Sequence, residues 1–139
     1  MNNQKRGDRW VVAQFVLFAL IGVSLFFGPG VTELGWAVAA VGLALAVWAG
    51  VTMGESLSPF PRPPRHGKLV RHGPFRFLRH PLYVGGVLFF AGLALVFSVY
   101  ALGLTAVLAA FWIAKARLEE RHLAARFPEY QEYRRRTWF

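Results

Sequence analysis

The sequence predicts an all-α integral membrane protein: four transmembrane helices, the third and fourth paired as a hairpin, and an amphipathic C-terminal helix on the cytoplasmic side. Two observations carry this. Of 139 residues, 55% are hydrophobic, and they gather into charge-free runs over residues 10–32, 34–54 and 83–114. Each run meets or exceeds the roughly 18–20 apolar residues that cross a bilayer. The net charge of +9 is the second observation, because all sixteen Lys and Arg lie outside these runs. A disordered chain is excluded by the hydrophobicity. The absence of cysteine excludes disulfides, zinc–thiolate sites and a cysteine nucleophile.

The first helix is expected over about residues 10–28. Its apolar stretch is too long for a signal peptide, and no small-residue cleavage site follows. The second is expected over 33–54, where Gly42, Ala46, Gly50 and Gly54 recur every four residues. Small residues at that interval let two backbones approach closely in lipid. The 32-residue third run suits two helices, 81–98 and 101–126, breaking near Ser98 to Gly103. Gly85, Gly86 and Gly92 lie along it, either as packing positions or as room for a ligand. Trp10, Trp36, Trp48 and Trp112 read mainly as interfacial anchors.

Charge placement sets the expected topology. Lys5, Arg6 and Arg9 precede the first run; Arg62, Arg65, Lys68, Arg71, Arg76 and Arg79 fall between the second and third; Lys115, Arg117, Arg121, Arg126 and Arg134 to Arg136 follow the last. The connection between runs one and two has none. Positive residues stay on the cytoplasmic side, so both termini and the loop 55–80 are expected there. The third run must then cross an even number of times. Orientation and contact with anionic lipid account for the basic charge, and no nucleic-acid partner is expected.

In the loop, Pro59, Pro61, Pro63 and Pro64 put four of the eight prolines into six residues, an extended strap. Beyond it, Leu69, Val70, Phe75, Phe77 and Leu78 alternate with cations, as in a segment lying at the interface. Pro81 suits the first turn of the third helix, with His80 at its cap. His80 and Tyr83, three apart, share one side of that helix start. The start offers free N–H groups, and Arg76 and Arg79 add positive charge, so an anionic group is favoured there. In the tail, Glu119 and Glu120 are the only acids between Glu55 and Glu129. They read either as ion-pair partners, Arg117 with Glu120 among them, or as carboxylates for a cationic ligand. Pro128 restarts a short helix carrying Tyr130 and Tyr133. No metal site is expected.

Gly67-Lys68-Leu69-Val70, then residues 73–83 reading GPFRFLRHPLY, then Glu119-Glu120 and residues 127–133 reading FPEYQEY together resemble the isoprenylcysteine carboxyl methyltransferase and phospholipid methyltransferase family of membrane enzymes. The resemblance spans about residues 52–136. It implies a single methyltransferase-like domain over 1–139 that uses S-adenosylmethionine from the cytoplasmic side. On that implication the cofactor meets Gly67, Lys68, Leu69, Val70, Phe75, His80, Pro81, Leu82, Tyr83, Glu119 and Glu120. Leu69 and Val70 would line the adenine end, and Phe75 stands where the family often has Tyr. Lys115 stands where the family has a substrate-contacting Arg; Arg117 and Arg79 are further substrate candidates. The implied acceptor is lipophilic, most simply a carboxylate such as a prenylcysteine-like molecule, which needs no general base. Membrane lipids are the other expected partners, and no oligomeric state is implied. Competing expectations are an NADPH-dependent membrane reductase related to sterol reductases, and a non-catalytic scaffold or sensor.

Overall fold

The computed structural model describes residues 3–139, with side chains from Gly7 onward. The described residues form five α-helices: α1 (Asn3–Ser24), α2 (Gly35–Met53), α3 (Pro81–Phe97), α4 (Val99–Arg126) and α5 (Tyr130–Arg135), with short 3-10 turns at Gly54–Ser56 and Gly73–Arg76. Extended pairing among the described residues is limited to one bridge between Leu78 and Trp138. The fold is all-helical, as the hydropathy pattern requires.

Among the described residues three helices are long and apolar enough to cross a membrane: Gly7–Ser24, Gly35–Ser56 and Val99–Arg126. α3 is apolar but only 17 residues long. At 1.5 Å per residue it reaches about 26 Å, against roughly 30 Å of hydrocarbon. The 28 residues of α4 reach about 42 Å, so one end of that helix stands clear of the apolar layer. The expected count of four therefore meets three full-length helices and one short one. Val12, Phe15, Val16 and Leu20 on α1, and Val41, Val47 and Val51 on α2, are exposed, as surfaces facing lipid are.

Boundaries shift from those read in the sequence. α1 begins at Asn3, not near residue 10, because charged residues end a hydrophobic run without ending a helix. It also stops at Ser24 rather than 28: Ser24 Oγ donates to Ile21 O at 2.7 Å, and Gly28 takes a positive φ of 83°. α2 runs 35–53 rather than 33–54. The expected break across 98–103 is one residue, Ser98, in extended conformation between α3 and α4. Gly103 lies inside α4. The corner is tied to the α1–α2 connection: Val99 N donates to Pro29 O, and Val31 N and Thr32 N both donate to Leu95 O.

Spatial order differs from chain order. α2 packs along α3, α3 against α4, and α4 against α1, so the first helix lies on the far side of the fourth. The α2–α3 seam is made of small residues, but it takes in only Gly42 and Ala46 of the stripe the spacing picks out. A Cβ added at Gly35, Gly42, Gly85 or Gly92 would meet the partner helix's backbone, whereas Gly50 faces open space and Gly54 ends the helix at φ 51°. The larger core lies between α1, α3 and α4, where Ile21, Tyr83, Leu108, Trp112 and Ala116 are buried with Phe18 and Phe90 against them. Trp112 is thus a core residue rather than an interfacial anchor.

Candidate active site

Both elements that the sequence singles out, the loop and the end of α4, meet over one cavity of about 530 Å³. That lies within the range of small-molecule sites. Its roof is the proline strap, which bends over Pro59–Arg62 rather than running as a straight rod. Two cations fasten it. Lys115 Nζ donates to Pro59 O at 2.6 Å, and Arg126 donates to Pro64 O at 2.7 Å and to Arg65 O at 2.5 Å. Proline has no N–H but keeps its carbonyl, so a proline-rich strap is held through its acceptors.

One wall begins at Pro81, which opens α3 and lets His80 cap it without a side-chain cap bond. The His80 ring, 7% exposed, is turned instead toward α4 and lies between two carboxylates. Its Nε2 is 3.2 Å from Glu120 Oε1, and its Nδ1 is 3.7 Å from Glu119 Oε2. Tyr83, one turn on, donates from its hydroxyl to Glu119 Oε1 at 2.5 Å. The rings form a continuous stack: His80 on Tyr83 at 5.6 Å between centroids, and Tyr83 on Trp112 at 5.0 Å. Adjacent residues on a helix diverge by about 100°, which is how Glu119 and Glu120, though both beside His80, reach Tyr83 and Arg79 respectively. Glu119 lines the cavity. Glu120 accepts from Arg79 Nε at 2.8 Å and lies 3.8 Å from Arg134 Nε, joining the segment before α3 to α4 and α5. The ion pair read between Arg117 and Glu120 does not form.

Lys115 is 1% exposed. Besides Pro59 O, it donates to Gln14 Oε1 at 2.9 Å, which also accepts from Trp112 Nε1 at 3.0 Å. Its ammonium lies 5.6 Å from the centre of the Tyr83 ring. Two hydrogen bonds and an aromatic face keep this buried charge tolerable.

The tail closes the opposite side. Tyr133 donates to Phe75 O at 2.8 Å, and burial pushes its hydroxyl pKa up to about 12. Trp138 N donates to Phe77 O, and Arg79 N to Trp138 O. Arg79 also donates from Nη1 to Thr137 O at 2.8 Å.

Gly67, Lys68, Leu69, Val70, Phe75, Arg79, His80, Leu82, Tyr83, Lys115 and Glu119 thus line one cavity. Three residues read as site residues do not. Pro81 is buried beneath the helix start, Glu120 faces the Arg79 pair, and Arg117 is exposed on the other side of α4. Gly86 faces Trp112 at the cavity, whereas Gly85 is used up in the α2 seam. Gln14 and Tyr130 also line the cavity, although neither is among the expected site residues. Gln14 carried a signal, being the one amide in the first apolar run. Among the described residues no group of His, Cys, Asp or Glu is placed to hold a metal.

An all-helical membrane protein with a ligand-sized cavity roofed at one end of its bundle is the class these features define. The family model for phospholipid methyltransferases matches residues 31–130. The chain belongs to the phospholipid methyltransferase family, a family of membrane methyltransferases. It is 37% identical over 136 residues to the cobalt-zinc-cadmium resistance protein CzcN of Cupriavidus metallidurans. That match covers 91% of this chain and 58% of CzcN, so the chain spans under two thirds of that relative's length. No solved structure matches the chain.

Proposed function

We propose that this protein transfers the methyl group of S-adenosylmethionine to a lipophilic acceptor at the cytoplasmic face of a membrane. The acceptor that fits best is a carboxylate such as a prenylcysteine-like molecule. The observation that carries the reading is the joining of His80, Tyr83 and Glu119 to the strap and the Leu69–Val70 wall over one mostly apolar cavity.

The donor set suits the cofactor. A carboxylate, Glu119, suits an α-ammonium, and the helix start with Arg79 suits an α-carboxylate. The Tyr83 and Trp112 faces suit a sulfonium through cation–π attraction. When bound, S-adenosylmethionine supplies a methyl carbon activated by its positively charged sulfur. The protein's own contribution is positioning. Leu69, Val70 and Phe75 would hold a flat apolar group, the strap would exclude water, and Phe18, Phe90 and Ala46 give the cavity an apolar part suited to an acceptor's tail. What these residues would hold in line with that methyl carbon is an acceptor oxygen that is already an anion and would need no general base. No proton moves, in keeping with a site whose histidine is engaged by two carboxylates.

CzcN is named for metal resistance, and a methyl transfer serving metal tolerance is compatible with this reading. Direct metal handling by this chain is not part of it. The test is titration calorimetry of the detergent-solubilised protein with S-adenosylhomocysteine. It is paired with a labelled-methyl assay over lipophilic acids, thiols and amines. Micromolar binding and transfer to an acid are expected. No binding by folded protein overturns the reading, and NADPH binding in its place replaces it with a reductase.

A further inference from the structure

One buried polar atom, on a residue that lines the cavity, has no partner among the described residues. Tyr130, on α5, is 1% exposed, lines the cavity, and its hydroxyl makes no hydrogen bond among the described residues. Its neighbour Tyr133 is satisfied by Phe75 O, so the orphan is not a general property of the tail. A buried hydroxyl left unmade is costly, and native structures rarely keep one without a ligand or water to meet it.

Its surroundings indicate what kind of group it meets. Arg134 lies one turn further along α5; its carbonyl accepts from Arg79 Nη1 at 3.2 Å, and its Nε lies 3.8 Å from Glu120. The Arg79–Glu120 pair is therefore seated against α5 a single turn from Tyr130. Arg79 also lines the cavity, and its Nη2 has no hydrogen-bond partner among the described residues. A guanidinium edge and a hydroxyl, each without a partner among the described residues and both on residues that line one cavity, are donors suited to an anionic oxygen.

We infer that the Tyr130 hydroxyl donates a hydrogen bond to the carboxylate of the bound methyl donor, making α5 a wall of the cofactor site rather than a brace behind it. This rests on the methyl-transfer reading.

The experiment compares the wild-type chain with Tyr130→Phe, which removes one oxygen and nothing else. Calorimetry is run with S-adenosylhomocysteine and with methylthioadenosine, which lacks the amino-acid end, and ligand-free thermal midpoints are measured beside it. Affinity for S-adenosylhomocysteine is expected to fall about tenfold, with methylthioadenosine binding unchanged and the ligand-free midpoint unchanged or higher. Unchanged affinity for both ligands, or equal loss for both, overturns the inference while leaving the methyl-transfer reading in place. A lower ligand-free midpoint overturns it too, because the hydroxyl would then have a partner within the protein. Wild-type protein that binds neither ligand removes the methyl-transfer reading and this inference with it.

Discussion

At the scale of single residues, the site is built from charges held under cover, and each has a distinct job. Lys115 fastens α1 and the strap to α4, through Gln14 and Pro59. Lys115→Met keeps the aliphatic bulk but leaves Gln14 Oε1 with only Trp112 and Pro59 O with nothing. Hydrogen bonds to charged groups contribute about 1.5–3 kcal/mol each, offset here by the relief of burying a charge. A net loss of about 2 kcal/mol is expected, read as a lower thermal midpoint in detergent. Glu119 and His80 should behave differently. Glu119→Ala and His80→Ala are expected to abolish measurable S-adenosylhomocysteine binding in calorimetry, since Glu119 is the carboxylate lining the cavity and His80 sets its position. Tyr133 gives a pH signature. Its folded pKa, about 12, lies above the ordinary tyrosine value of 10.0. The neutral hydroxyl is thus favoured by folding; its contribution is full below pH 10 and is lost as pH rises toward 12. Alkaline unfolding followed by tyrosinate absorbance should begin above pH 10, and Tyr133→Phe should weaken that pH dependence while lowering stability below it.

At the scale of elements, the seam between α2 and α3 shows what spacing alone conveys. Small residues every four positions announce a close helix pair, and one exists. The sequence does not say where the partner ends. Gly42 and Ala46 are in the seam, but Gly50 and Gly54 run past it, and Gly35 and Ala39 extend it the other way, opposite Gly92. Gly85→Ala should therefore destabilise by about 1–3 kcal/mol through overpacking. Gly50→Ala should be neutral or stabilise by about 0.5–1 kcal/mol, because nothing opposes the methyl and helix propensity favours it. Matched thermal melts decide; equal effects at both positions would mean the seam is not as described. The helix start at Pro81, the hairpin corner at Ser98 and the restart after Pro128 were legible for the same reason: each is set by a local residue type. The Lys115–Gln14–Pro59 node was not, since it joins three segments up to 101 positions apart and nothing in any one of them names the other two. Arg117 was misread for the complementary reason. It is two residues from Lys115 in sequence, but two residues on a helix face different sides.

At the scale of the whole molecule, the chain's two ends have opposite characters. One holds the α1–α2 connection and the Ser98 corner, joined by Ser98 Oγ donating to Phe27 O, and no Lys or Arg lies in either segment. The other holds the start of α1, the strap, the loop and the tail, where the cations are. The cavity is at this charged end, where the proposed cofactor would enter from water and the proposed acceptor from the bilayer. α3 is short, yet its far end meets the α1–α2 connection through Leu95 O, so a membrane that contains α2 contains α3. Four crossings with both termini cytoplasmic are the arrangement we expect on this ground, and the absence of cysteine permits a direct check. Single cysteines at the exposed positions Glu33, His72 and Gln131 are labelled with an impermeant maleimide in sealed vesicles of known orientation. His72→Cys and Gln131→Cys should label from the cytoplasmic face alone, and Glu33→Cys from the opposite face. If Gln131→Cys labels together with Glu33→Cys, the third run crosses only once and the hairpin is wrong as a membrane element. If all three label from one face, α2 does not cross, and the charge distribution marks a surface-bound protein rather than an orientation.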